Sequence, residues 1–357
     1  MTWEQIDWTA LERLRGLFLS GGAARASYWR SAADLASYDF TYGARIGWKW
    51  DAVLRELDER GWRPPARTAV NLDDGSGRGP DRPWSVLDWG CGSGVAGRRV
   101  VRWLGPDRVA ALRLWDESAL AADFAAAAAR AEFAGVRVEH LTPGFFAGGG
   151  PAGVLVVSHV LTELPAAERA ALLEFAGRAD AVLWVEPGTA AASRALIAVR
   201  AQLRDRFRVI APCTHQAACG LLAPANARHW CHHFAAPPSG IFVDADWAQF
   251  GRRAGIDLRS LPYAFLALAR ADGAPAADPA AGFDRVIGEP RFAKGIARVL
   301  SCGPAGVGEL TIQKRDAPDL LKELKRPAGP LVYRWTRPGG RIQGGDRLAA
   351  GPPPAAG

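Results

Sequence analysis

Long apolar runs are missing from this chain. Stretches such as Phe124–Ala129 and Val154–Val157 fall far short of the ~20 residues that a membrane-spanning helix needs. Cysteine is scarce: five residues at uneven spacings in 357, which excludes the disulfide framework of a small secreted domain. The opening MTWEQIDWTALERL has neither the basic and apolar regions of an export signal nor the acid-free, Arg-rich pattern of a transit peptide. The expectation is a soluble, cytoplasmic protein with reduced thiols. Methionine occurs once, whereas Gly (40) and Pro (25) are plentiful and Ala and Arg abound, as in a GC-rich genome, so Ala-rich stretches are weak structural evidence. With 49% hydrophobic and 23% charged residues, the composition is globular and long enough for two or three domains.

The net charge of +7 is unevenly spread. Arg285–Arg347 holds thirteen basic and six acidic residues, so this segment carries the whole excess. A solvated surface and a module that faces a polyanion account for it equally well.

Residues 1–83 read as an N-terminal helical region and linker. WTALERLRGLFL and WKWDAVLRELDERGW have helical spacing, Gly61 stops the second run, and 63–83 is rich in Pro, Gly, Asp and Ser. From Trp84 short apolar runs alternate with helical stretches, including a helix from Ala166 to Ala176 and another after Thr189 that continues through RDRF. This alternation predicts an α/β domain over 84–284 with a parallel sheet wound by helices. Within it lies a Cys/His-rich segment, 211–234. Residues 285–348 predict a small, basic, β-rich unit with strands at ARVLSCG, GELTIQK and LVYRWTR, and 349–357 a disordered tail.

The first predicted strand ends in Asp88-Trp89-Gly90-Cys91-Gly92-Ser93-Gly94 and opens directly into a helix. Glycines let the backbone turn sharply and approach a ligand, and a helix N-terminus favours negative charge. The second strand ends in Asp116, 22 residues past Gly94, where a Rossmann-type fold places an acid for ribose hydroxyls. The D-x-G-x-G-x-G spacing resembles motif I of class I S-adenosylmethionine (SAM)-dependent methyltransferases. That resemblance implies Asp88 near the methionine amino group and Gly90 and Gly92 along the cofactor, with Gly94 completing the loop. Ser158 and His159 end the fourth strand, in the place of motif IV; Ser158 joins the cofactor candidates. His159 is either a base or a structural strand-end residue. Neither an N/D-P-P-aromatic segment nor the nucleophilic Cys of RNA cytosine-C5 enzymes is present, so no catalytic residue is assigned.

Cys213, Cys219 and Cys231 and four histidines, His215, His229, His232 and His233, cluster within 21 residues. Buried free thiols are the bland reading; Pro, Gly and polar neighbours favour a metal site. Cys302 is the natural fourth donor, with zinc and iron–sulfur both open. Cys91 belongs to the glycine loop.

Taken together, D-W-G-C-G-S-G, D-E-S, S-H-V-L-T-E-L, V-E-P-G-T, A-P-C-T-H-x3-C, W-C-H-H-F and V-L-S-C-G resemble, in order, the methyltransferase-like small-ribosomal-subunit assembly proteins, bacterial relatives of a mitochondrial small-subunit protein. The resemblance spans roughly residues 30–347. It implies a Rossmann-like methyltransferase sheet, a [4Fe–4S] cluster on Cys213, Cys219, Cys231 and Cys302, and binding to the small ribosomal subunit or its rRNA. This chain has Gly220 where the family has Pro after the second cluster cysteine. The alternatives are a small-molecule SAM-dependent methyltransferase with structural zinc, and a non-catalytic RNA-binding assembly factor. A radical-type iron–sulfur enzyme fits less well, because Cys302 would close the cluster.

Overall fold

The computed structural model describes residues 1–20, 28–65, 84–148, 153–271, 280–327 and 329–348. Most of the expected linker and the tail from Ala349 lie outside the described residues. In chain order the helical start comprises α1 (Trp8–Ser20), α2 (Ala32–Tyr38) and α3 (Ala44–Glu59). The α/β region runs β1 (Trp84–Trp89), α4 (Val95–Leu104), β2 (Val109–Trp115), α5 (Ala119–Glu132), β3 (Arg137–His140), α6 (Pro143–Ala147), β4 (Val154–Ser158), α7 (Ala166–Ala176) and β5 (Ala181–Pro187). It continues with α8 (Ala190–Leu203), β6 (Phe207–Ala211), β7 (His233–Ala235), α9 (Ala245–Ala254) and β8 (Leu261–Arg270). The last part holds β9 (Asp284–Ala293), β10 (Ile296–Gly303), β11 (Gly306–Gln313), α10 (Pro318–Lys325), β12 (Val332–Thr336) and β13 (Gly344–Arg347).

Two compact units emerge, each from several segments. The first comprises Met1–Ala52, Pro64–Val185 and Ala235–Leu261. Its strands are all parallel, in the order β3-β2-β1-β4-β5. Both faces of such a sheet are covered, which is why β1 and the Val154–Val157 part of β4 are wholly buried and read as continuous apolar runs. The order reverses between β1 and β4, and ligands in doubly wound sheets bind beyond the carboxyl ends of strands at such a switch. The protein is therefore α/β with a Rossmann-like parallel sheet, as expected.

The second unit comprises Val53–Arg63, Glu186–Phe234 and Pro262–Gly357. Here β8 runs antiparallel to β6. A separate antiparallel sheet has the order β11-β10-β9-β12-β13, with Leu320, Leu321 and Leu324 of α10 packed into its core beside Val286, Val299, Ile312 and Tyr333. Gly61 ends α3 as anticipated: at φ +62° it closes a Schellman turn, with Trp62 N–H donating to Leu57 O at 2.9 Å and Gly61 N–H to Asp58 O at 2.8 Å.

One expectation needs correction, and two elements were not anticipated. The helix after Thr189 stops at Leu203, and RDRF instead leads into β6, whose alternating pattern Phe207-Arg208-Val209 is a strand signal. Asp284–Ala293, which had no assigned element, forms β9. The β-rich unit also contains α10, a helix of only eight residues started by Pro318.

Candidate functional site

All three loop glycines are left-handed: Gly90 at φ +66°, Gly92 at +52° and Gly94 at +78°. Their reasons differ. A Cβ on Gly94 would lie 2.7 Å from the Ala125 Cβ of α5, so packing dictates this glycine. A Cβ on Gly92 would meet only Trp29, at 3.9 Å. Gly94→Ala, wrong in both backbone and space, is expected to lower stability by about 2 kcal/mol or more, read as a fall in melting temperature.

The two acids do different work. Asp116 clamps the loop, its Oδ2 accepting from Gly92 N–H at 2.8 Å and its Oδ1 from Ser118 N–H at 2.9 Å. Asp88 is fully buried; its Oδ2 accepts from Gly97 N–H at 2.8 Å, while Oδ1 has no hydrogen-bond partner. Burial pushes the Asp88 carboxyl up to about 7, against the Gly97 N–H, with Asp116 adding to the rise. An unpartnered buried carboxylate oxygen is costly and suits a cationic group.

At the end of β4, Ser158 Oγ accepts from Trp50 Nε1 of α3 at 3.0 Å and lies 3.1 Å from His159 Nδ1. Lys49 Nζ stands 3.3 Å from His159 Nε2. His159 has φ +59°, the one non-glycine residue in the left-handed region among the described residues. Burial, then the Lys49 charge, pushes its imidazole well below the usual range. The sequence reading missed Lys49 and Trp50, whose region carries no ligand motif.

The second unit gathers the four thiols proposed as metal ligands. Cys302, on β10, is paired in register with Arg285 of β9 and Val307 of β11. Cys219, Cys231 and Cys302 share an apolar cluster with Ile197, Leu221 and Ile287, and Cys213 joins Cys219 and Cys231 around a crevice beside Arg200. Burial raises the Cys302 thiol to about 12, with Cys213 and Cys219 adding to it. The Cys231 thiol rises well above its usual value, from burial first and then from Cys213, Cys302 and Cys219. All four sulfurs thus feel one another. Even so, among the described residues no group of three or more His, Cys, Asp or Glu side chains is placed to hold a metal ion.

Arginines brace the cysteine-bearing loops. Arg60, just past α3, donates to Ile210 O at 2.8 Å, Pro212 O at 3.0 Å and Cys213 O at 3.2 Å. Arg200 donates to Ala217 O at 2.7 Å and His215 O at 3.3 Å. Between the two chain regions sits Glu56, its side chain 1% exposed: it accepts from Arg60 Nε at 3.0 Å and pairs with both terminal nitrogens of Arg285, the residue opposite Cys302. Gly220 also has a local reason, since a Cβ there would lie 3.0 Å from Val307. His233 is buried between Tyr263 and Phe265 with Nε2 3.7 Å from Cys231 Sγ, and His232 stacks on Trp230. Of the basic C-terminal residues, Arg285 is internal and Arg347 pairs with Glu59, whereas Lys294, Lys314, Lys322, Lys325 and Arg334 are exposed.

A parallel sheet with a glycine loop at its switch point defines a Rossmann-like α/β protein. Over residues 108–328 the sequence matches the family described as mitochondrial small ribosomal subunit Rsm22, and the chain belongs to that family. No curated protein matches it. Among solved structures it is similar to magnesium protoporphyrin IX methyltransferase from Synechocystis PCC 6803 with bound SAH (S-adenosylhomocysteine): 14% identity, 75% of this chain and 97% of that one, TM-score 0.38. It is also similar to a SAM-dependent methyltransferase from Aquifex aeolicus: 15% identity, 51% of this chain and 90% of that one, TM-score 0.33. No helix among the described residues is long and apolar enough to cross a membrane.

Proposed function

We propose that the chain is a SAM-binding factor of the small ribosomal subunit that carries a structural [4Fe–4S] cluster and contacts rRNA through its C-terminal unit. The observation that carries this reading is the family match over 108–328, a span that includes all four clustered cysteines and the end of β4. In the crevice, Asp88 would take the ammonium of SAM on its unpartnered Oδ1, Gly90 and Gly92 would line the cofactor, Gly94 would hold the loop's turn, Asp116 would face the ribose and Ser158 would close the far side. SAM supplies an electrophilic methyl group when bound. The chain's own contribution is to fix and desolvate it.

Cys213, Cys219, Cys231 and Cys302 would hold the cluster. Support comes from four half-buried thiols gathered in the second unit, together with the buried guanidinium groups of Arg60, Arg200 and Arg285, which favour a net negative centre. The exposed Lys and Arg residues of 291–334 would bind phosphates, so association with small-subunit precursors should fall steeply with added salt. Co-sedimentation across a salt series tests this; salt-independent association would contradict it.

The Asp88 shift gives a pH prediction. An acid raised in the folded state favours its protonated form, so its stabilising contribution is present below the unfolded value of 3.8 and is lost as pH rises through about 7. A ligand ammonium needs the ionised form. SAH should therefore bind about tenfold more weakly at pH 6 than on its plateau above 8, and Asp88→Asn should remove that slope, both read by calorimetric titration.

A further inference from the structure

The side chains around His159 form a chain whose two ends fix the direction of every hydrogen bond in it. The indole N–H of Trp50 and the ammonium of Lys49 can only donate. Lys49 Nζ, 3.3 Å from His159 Nε2, makes that nitrogen the acceptor, so it carries no proton. A neutral ring then holds its one proton on Nδ1 and donates it to Ser158 Oγ, 3.1 Å away. Trp50 Nε1 donates to the same oxygen at 3.0 Å. Both lone pairs of Ser158 are filled, and its own O–H remains to be donated.

We propose that the Ser158 hydroxyl is a hydrogen-bond donor to the bound ligand, and that His159, locked as the Nδ1–H tautomer by Lys49, is a positioning residue and not a proton acceptor. The end of β4 then takes a ligand atom with a free lone pair, a carbonyl oxygen or an unprotonated ring nitrogen. This rests on the reading of the crevice as a ligand site. Burial and the neighbouring Lys49 charge both keep the ring neutral. The left-handed backbone of His159, unfavourable for a residue with a Cβ, shows that the fold holds this side chain in place at a conformational cost.

The test uses the full chain with 15N-labelled histidine, the His159 signals being identified by their loss in His159→Gln. The expected result is a protonated Nδ1 and a bare Nε2 with no titration between pH 5.5 and 8. Lys49→Met, which removes the donor to Nε2, should release the lock and let the Nε2–H tautomer appear. In the unaltered chain, an Nε2–H tautomer or a midpoint near 6.5 would overturn the proposal. For the donor role, SAH and a short single-stranded RNA are titrated into the unaltered chain, Ser158→Ala and Ser158→Thr. Ser158→Ala should weaken one probe by about fivefold or more, with recovery in Ser158→Thr, which keeps the hydroxyl. Unchanged affinity for both probes would overturn the donor role. An unaltered chain that binds neither probe would overturn the crevice reading and the donor role with it, while the tautomer result would still decide the assignment of His159.

Discussion

Glu56→Gln is expected to lower the stability of the chain by about 3–5 kcal/mol, the usual cost of breaking a buried ion pair from one side. Glutamine keeps the volume but removes the carboxylate charge that Arg60 and Arg285 share, where all three residues are 4% exposed or less. The damage should extend beyond the pair. Arg60 holds the carbonyls of Pro212 and Cys213, and Arg285 lies opposite Cys302, so the carboxylate ties together the two chain regions that bear the sulfurs. Thermal or urea unfolding checks this, with Arg298→Gln as the comparison. Arg298 makes only an exposed contact to Glu309 at 3.9 Å and should cost less than about 1 kcal/mol. Equal melting of the two variants would show that the buried network contributes nothing.

Cys302→Ser should remove the proposed cluster and, because metal binding and folding are coupled, lower the melting temperature by many degrees. Cys302 is the informative choice because it comes from a β-strand of the C-terminal sheet, whereas the other three lie in one loop region. Cys91→Ala, in the glycine loop, should keep the full iron content. A Cys302→Ser protein with unchanged absorbance and melting would exclude Cys302 as a ligand.

Much of the α/β region was legible because its signals are local. The glycine loop after β1 sits where a strand-period run meets a helix, and Thr189 announces α8 as an N-cap whose hydroxyl accepts from Ala192 N–H. The bracing residues were not legible, for a physical reason. Glu56, in the last turn of α3, and Arg60, just past its end, stand four apart, which in a sequence is indistinguishable from a solvated surface pair; only packing across 150 or more residues buries them. Lys49 and Trp50 meet His159 and Ser158 across 110 and 108 residues, and no periodicity carries such a pairing. The reverse error also occurs. Arg285 counted toward a surface charge excess, yet it is an internal ion-pair partner, because charge counts do not register burial.

Four thiols distant in the chain are proposed to share one inorganic core. Purification without oxygen, followed by iron, acid-labile sulfide and zinc analysis of the full chain, addresses it most directly. The account predicts about four iron and four sulfide per chain with a broad visible absorbance, lost in Cys302→Ser. Stoichiometric zinc without sulfide, or a colourless protein free of both metals, would contradict it.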